Sequence, residues 1–464
     1  MKTSIIRSTW LAKGGYRLDC SPYLGGALEA QVLLEELAVR KDPLGAVTVE
    51  IFNGPQFVRN YLDNPDLGVP FMTGSSMKLS DLSRLPLLSK KDAHSQKLRH
   101  LEIKPGMTLI SCLGTIGQMA YARPEMAGVW ASQDVLKVVP NTTKIPSGFL
   151  YTYLSSKFGI PLITSGTYGG IIQHLEPEHI SGLPVPRFGA ALEKKIHDLV
   201  EEAGVLRSDA SRFKREAIEL FESSCSIPLA RPLYKYTSPL LGKANPQMLA
   251  SRMDSTYYIE PCVAARNAFD RVRNQKSLGE VASVFIPGIF KRQYSNDPDF
   301  GYPYITGADV FCIKPASDQN LLKSIAEGYR LLLKEGMIVL HEAGQRYGLI
   351  GRGVMVGKTL DGFACTNNMV RVMPLDPDEA GFIFIVLSSE HGIRLLKREA
   401  AGSSIPHLDE SRVRNLRIPW PSNDIRKQIS VLAHKARSFW DSADMKEDQA
   451  TSILTKAITG KPIK

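Results

Sequence analysis

The chain has 464 residues, 43% hydrophobic and 22% charged, the composition of an ordinary globular protein with length for two or three full cores. Its 57 Lys+Arg against 47 Asp+Glu leave a net charge of +10, which favours a polyanion or an acidic surface as partner. Six scattered cysteines (Cys20, Cys112, Cys225, Cys262, Cys312, Cys365), with no Cys-x-x-Cys and no histidine at ligand spacing, argue against a zinc site or a disulfide framework and fit a reducing cytosol. The longest apolar run, 382–387, is far short of a membrane span, and residues 1–17 hold no signal-peptide core. A cytoplasmic protein without membrane contact is expected.

In chain order, 47–52, 106–111 and 135–139 are short β-rich runs broken by Gly and Pro. Residues 148–158 have helical character, and 183–186 (Leu-Pro-Val-Pro) form an extended, proline-bounded exit. From 191 to 220 the apolar residues Leu192, Ile196, Leu199, Ala203, Leu206, Ala210, Phe213, Ala217 and Leu220 recur at alternating steps of four and three, a heptad seam that needs a partner helix. Residues 226–250 carry four prolines with Arg231, Lys235 and Lys243 and no acid, which reads as an extended basic linker. Further β-rich runs follow at 337–340 and 369–373, and helical character at 381–389. A second seam closes the chain: Ile425, Ile429, Leu432, Ala436, Phe439, Ala443, Ala450, Ile453 and Ala457, with Lys446 interrupting the rhythm.

These elements are one unit written twice. Gly68-Val69-Pro70-Phe71-Met72-Thr73-Gly74 returns as Gly301-Tyr302-Pro303-Tyr304-Ile305-Thr306-Gly307. Arg17-Leu18-Asp19 returns as Arg252-Met253-Asp254, Gly106-Met107 as Gly336-Met337, Gly148-Phe149 as Gly381-Phe382, and His174-Leu175 as His407-Leu408. Leu183-Pro184-Val185-Pro186 returns as Ile418-Pro419-Trp420-Pro421. Six blocks in one order, each offset by roughly 230 to 235 residues, establish a duplication. The expected fold class is α+β: two pseudo-repeated, β-rich mixed domains separated by two long antiparallel coiled-coil-like helices. The expected boundaries are 1–187 for the first domain, 188–225 for its helix, 226–250 for the linker, 251–421 for the second domain and 422–460 for its helix. A seam of about 29 residues at ~1.5 Å per residue spans roughly 43 Å, a little more than the ~34–36 Å between half-sites on one face of B-DNA.

No catalytic constellation emerges. Gly357-Lys358-Thr359 resembles the end of a phosphate loop, but Arg352 stands where the first glycine belongs. His341-Glu342 begins like a zincin motif, yet Gln345 occupies the second histidine's place. The carboxylates Asp376, Asp378 and Glu379 sit among prolines in what reads as a solvated loop. Recognition features are richer. Lys291, Arg292 and Tyr294, with Arg59 and Tyr61 in the matching place, combine phosphate-seeking charge with planar groups. Thr115 and Gln118 correspond to Gln345, Arg346 and Tyr347 in glycine-flanked loops after a strand. Thr167 and Tyr168 correspond to Ser403 and Ser404, with Lys397 and Arg398 preceding the latter. Each such loop read alone is a plain solvated turn; their recurrence at equivalent places with different side chains points to two related readers.

The tandem domains, the Leu-Pro-Val-Pro and Ile-Pro-Trp-Pro exits, the heptad helices after them, and the Gly114-Thr115-Ile116-Gly117 stretch resemble the specificity (S) subunit of type I restriction–modification enzymes over nearly the whole chain. The resemblance implies that each domain reads one half of a bipartite, asymmetric target in double-stranded DNA. It implies that the helices, through Leu192, Ile196, Leu199, Leu206, Phe213, Ile429, Leu432 and Phe439, pair and dock DNA methyltransferase (modification) subunits. The chain itself would be a non-catalytic, cofactor-free recognition subunit. S-adenosylmethionine is then expected on the modification subunits, and ATP and magnesium on a restriction subunit that joins for cleavage. The exits continue as Arg187-Phe188-Gly189 and Ser422-Asn423-Asp424 rather than as the family's usual proline-then-glutamine run. That leaves open a diverged, methylation-linked phage-defence system. A protein-binding scaffold, the further alternative, predicts no salt-dependent DNA affinity.

Overall fold

The computed structural model of the chain describes residues 5–6, 8–13, 21–165, 174–232, 240–250, 252–345, 347–402 and 404–460. It divides into two units, residues 1–208 with 442–464 and residues 209–441. The fold is α+β, with one set of elements repeated in both. Arg17-Leu18-Asp19 and Cys20 lie outside the described residues.

In the first unit, the strands Thr48–Phe52, Val135–Pro140, Thr108–Ser111 and Met119–Tyr121 form one antiparallel sheet in that order. Thr108–Ser111 is buried on both faces. Ile110 packs with Phe149 and Leu150 of helix Ser147–Leu154, while Leu109, one residue away and on the opposite face, packs with Met72 and Met107. The chain enters this strand through Gly106, whose φ of +87° suits a residue without a Cβ. A second sheet orders Tyr61–Leu62, Leu87–Ser89, Gly68–Met72 and Trp130–Ala131, the last pair parallel. The exit strand Pro184–Pro186 pairs with Lys41–Pro43 in a two-stranded ribbon, where an edge position tolerates the missing N–H of proline.

The second unit repeats this strand order, without the bulge that the first has between Thr48 and Glu50. Ala282–Phe285, Met369–Pro374, Ile338–His341 and Gly353–Met355 form the antiparallel sheet. Tyr294–Ser295, Asn320–Leu322, Gly301–Ile305 and Ala364–Cys365 form the other, again with a final parallel pair. The ribbon is Gln275–Ser277 with Arg417–Pro419, whose register matches Val185 to Ile418 and Pro186 to Pro419, two residues off the correspondence that the proline pattern suggests. Thr108 opposes Val138 in one unit and Ile338 opposes Val372 in the other, so the duplication holds at the level of individual residue pairs.

The long helices Ala190–Ser224 and Asn423–Thr459 each contribute to both units. In the first unit, Ile196 and Val200 share a core with Ala450, Leu454 and Ile458. In the second, Ala217 and Phe221 share a core with Ile429, Ala433 and the apolar helix Ala380–Ser388. Within each unit the helices run antiparallel, with Glu202 against Lys446 (2.8 Å) and Arg207 against Asp444 (2.8 Å) and Glu447 in the first, and Phe213 edge-on to Phe439 (5.3 Å) in the second.

The buried line differs from the heptad reading by one step. It passes through Ile196, Val200, Ala203, Arg207, Ala210, Phe213, Ala217 and Phe221. Leu192, Leu199 and Leu206 are half-buried beside it, as are Leu432 and Phe439 on the other helix, while Ile429 is fully buried. Each helix meets both a partner helix and a domain, so its buried stripe is wider than a seam, and a paired arginine occupies one of its positions. Lys446 interrupts the second seam because the buried line there runs through Glu447 instead.

Each domain grips its own helix at two equivalent points. A Cβ on Gly148 would stand 2.9 Å from the His197 backbone, and one on Gly381 2.7 Å from that of Ser430. The Gly148 N–H donates to His197 Nδ1 (3.1 Å) and the Phe382 N–H to Ser430 Oγ (2.9 Å). Farther along, the Glu125 N–H donates to Ser208 Oγ (3.2 Å), and the Lys358 N–H to Asp441 (3.0 Å). The Gly357-Lys358-Thr359 stretch is therefore a 3-10 turn docked on a helix, with Thr359 Oγ also donating to Asp441 (2.9 Å).

Burial alone would lower the pKa of Arg207, but the Glu447 and Asp444 carboxylates outweigh it and hold the guanidinium charged. Replacing Arg207 with Ala strands two buried carboxylates and is expected to remove about 3–5 kcal/mol of stability, read as a lower urea midpoint. Burial, with Glu390 and Glu219 nearby, raises the carboxyl of Glu222 to about 7, and its Oε2 has no hydrogen-bond partner. The folded state thus favours the protonated acid. That contribution is complete below the ordinary carboxyl range and is lost as pH rises through about 7. Glu222→Gln should consequently raise the melting temperature more at pH ~8 than at pH ~5.

Candidate nucleic-acid interface

Four loops converge beyond the strand ends of the first unit. Ser111 closes its strand; its hydroxyl donates to the Thr115 carbonyl and accepts the Gln118 N–H (3.2 Å), which shapes the 112–118 turn. The Cys112 N–H donates to the Asp134 carbonyl (3.0 Å), Leu113 bridges to His174, and the Leu175 N–H returns to the Cys112 carbonyl (3.1 Å). Arg59 reaches the same place, donating to Gln133 (3.1 Å) and pairing with Asp134 (3.2 Å). Asn53 donates to Glu176 (2.8 Å) at its margin.

The second unit assembles the equivalent loops with other side chains. The Glu342 N–H donates to the Asn368 carbonyl (3.2 Å), Ala343 bridges to His407, and the Leu408 N–H donates to the Glu342 carbonyl (2.8 Å). His407 Nδ1 lies 2.8 Å from the buried Glu342 carboxylate, a pairing for which the first unit has Cys112 in place of the acid. His341 is half-buried, and burial lowers its pKa. Among the described residues no group of three or more His, Cys, Asp or Glu could hold a metal ion.

Under each loop face lies a fully buried cation. Lys137 Nζ donates to the carbonyls of Ser132 (3.3 Å) and Val135 (2.9 Å). Arg371 donates to those of Met369 (2.9 Å), Cys365 (3.0 Å) and Thr366 (2.9 Å). The physical cause is where the chain turns between the two sheets: carbonyls of the turn and of the adjoining strand ends are buried there, and a buried acceptor left unpaired is costly. Burial pushes Lys137 down to about 8, against the pull of Cys112 and Asp134, and burial also lowers Arg371. Sequence reasoning missed this pair, although one basic residue at the same place in two apolar strands (Val-Leu-Lys-Val-Val, Met-Val-Arg-Val-Met) was the available signal.

A second duplicated seat is aromatic. Phe57 and Tyr61 pack against Phe71, at 5.9 and 6.1 Å between ring centroids, and Arg59 lies over the Phe71 ring at 5.5 Å. Phe290 and Tyr294 pack against Tyr304, at 6.4 and 5.9 Å, and Arg292 lies over the Tyr304 ring at 5.7 Å.

The sequence-predicted residues distribute as follows. Arg59, Tyr61 and Gln118 are half-buried and Thr115 exposed, with Arg59, Thr115 and Gln118 on the converging loops of the first unit. Lys291, Arg292 and Tyr294 are exposed beside the second aromatic seat. Gln345, Tyr347 and Ser404 are exposed on the two loops joined by the Ala343–His407 bridge, and the stem of Lys397 would meet a Cβ on Gly351 at 3.6 Å. Arg398 is committed elsewhere: it lies 3.5 Å over the Tyr257 ring and pairs with Glu399 (3.0 Å). Thr167, Tyr168, Arg346 and Ser403 lie outside the described residues. No helix among the described residues is long and apolar enough to cross a membrane.

No family model and no curated protein matches the chain. Among solved structures it is similar to the S subunit of a type I restriction–modification system from M. genitalium, at 11% identity and a TM-score of 0.39, over 92% of this chain and 97% of that one. It is likewise similar to the HsdS subunit from Thermoanaerobacter tengcongensis (13% identity, 91% and 96% covered, TM-score 0.28). A third similar structure, described as showing complex assembly and conformational transition of the type I R-M system, has 14% identity, 91% and 97% coverage and a TM-score of 0.27.

Proposed function

We propose that the chain is the DNA-reading specificity subunit of a type I restriction–modification complex, each unit reading one half of a bipartite, asymmetric duplex target through its loop face. The observation that carries this reading is the combination of a scaffold repeated strand for strand with loop faces that differ in side chain. A scaffold kept constant beneath variable polar loops suits two readers of unlike sequences. The basic balance of the chain supplies attraction to phosphates, and exposed Lys291, Arg292, Gln345 and Tyr347 supply donors and planar groups of the kind that meet base edges and backbone.

In this reading the chain performs recognition and no bond-making. The paired helices set the unread spacer and offer their outer faces, including exposed Val205 and Met445 in the first unit, to the modification subunits. S-adenosylmethionine and the methyl transfer belong to those subunits, and ATP and magnesium to a restriction subunit. The buried cations Lys137 and Arg371 act as positioning residues that keep each loop face in one shape.

The test is a methylation map of the source genome with and without this gene. A bipartite motif should lose its methylated adenines on deletion, and an unchanged map would refute the proposal. Purified chain should bind duplex DNA with an affinity that falls steeply with salt, whereas a protein-binding scaffold would show no such dependence. Within the motif, Lys137→Met should relax recognition of one half only and Arg371→Met the other, each by about 1–3 kcal/mol of discrimination, read as degenerate bases in the methylation map.

A further inference from the structure

The two aromatic seats carry equivalent arginines in unequal electrostatic surroundings. The register that aligns Leu109 with Lys137 aligns Val339 with Arg371, so Gln133 and Asp134 correspond to Asn367 and Asn368. In the first unit Arg59 is half-buried, donates to Gln133 (3.1 Å) and pairs with Asp134 (3.2 Å). In the second, Arg292 is exposed, rests over the Tyr304 ring at 5.7 Å, and has no carboxylate partner among the described residues. The position before each arginine accentuates the contrast: exposed Val58 in one unit, exposed Lys291 in the other. Beneath the faces a thiol acts most strongly on each buried cation, Cys112 on Lys137 and Cys365 on Arg371, but only Lys137 also feels a carboxylate, that of Asp134.

We propose that this single acid-for-amide difference divides the work of DNA binding between the halves: the second unit anchors the duplex backbone through Arg292 as an uncompensated cation, and the first, with Arg59 neutralised by Asp134, adds little net phosphate attraction. The inference rests on the DNA-reading function proposed above and adds to it a polarity of charge. An arginine paired with a carboxylate must exchange that partner for a phosphate and gains little by doing so. A guanidinium seated over a ring, with no acid partner, keeps its full attraction and releases a counterion when a phosphate replaces solvent. Asp134 is accordingly a determinant of how strongly the first face holds DNA irrespective of sequence.

The experiment uses the full chain and a labelled duplex of arbitrary sequence, about 30 base pairs long, titrated from roughly 50 to 200 mM salt. Arg292→Ala should weaken binding several-fold and reduce the slope of log affinity against log salt by about one. Asp134→Asn should do the opposite, tightening binding and steepening the slope by about one. Adding Arg59→Ala to Asp134→Asn should abolish that gain. Asn368→Asp, an isosteric change at an exposed position, should reproduce the loss seen with Arg292→Ala. Steep, salt-dependent binding that neither Asp134→Asn nor Asn368→Asp alters would overturn the division of charge and leave target reading standing. A wild-type chain without salt-dependent binding would overturn both.

Discussion

Neither unit closes its core with contiguous chain. The first needs Ala450, Leu454 and Ile458 from the last helix, and the second needs Ala217 and Phe221 from the far end of the first helix. Ala217 and Ala450, and Phe221 and Leu454, stand at the same place in the repeat, so the debt is reciprocal. Each helix is consequently pinned at its beginning by the domain it leaves and at its end by the core it completes. A helix held only by its outer charges would fray at either end; one whose two ends are buried in different cores cannot. The arginine at the middle of the first helix adds specificity of register to this apolar fastening, because Arg207 finds both its carboxylates in only one alignment.

On that foundation the molecule separates what is kept from what varies. Strand pairings, the turn glycines Gly106 and Gly336, the close approaches at Gly148 and Gly381, and the buried cations under the loops recur in both halves. The loop side chains do not: Gln133 and Asp134 correspond to Asn367 and Asn368, Cys112 to Glu342, and Val58 to Lys291. Backbone geometry that is set from below by a buried donor leaves the side chains above free to change without moving the turn. The helix grips at Ser208 and Asp441 extend the same logic, fixing each domain on its own helix at a second point.

Much of this architecture is legible in the sequence, because hydrophobic period and ordered repeats are local signals. The α+β class, the two long helices and the exits fall in that class. The buried line of the helices is less so: a count of apolar spacing selects Leu199 and Leu206 and passes over Val200 and Arg207. Arg207 counts as surface in any periodic reading, since the acids that allow its burial lie 237 and 240 residues away. The candidate site suffers most from this non-locality. Arg59 reads as a free cation until the turn 75 residues on delivers Asp134, and Arg398 does so until Tyr257 comes beneath it. Composition announces that charges exist; only the fold decides which of them are already spoken for.

The choice of lysine under one face and arginine under the other has a chemical outcome. Lys137, depressed to about 8 by burial, sheds its proton in mildly alkaline solution, while the Arg371 guanidinium retains its own. Because the folded chain prefers the neutral amine, folding does not suffer from that loss, and the amine still offers N–H groups to the two carbonyls. What disappears is a unit of positive potential beneath the first face, where Arg59 and Asp134 already cancel. The positive potential directly beneath the first face therefore weakens as the medium becomes basic, while the guanidinium beneath the second keeps its charge.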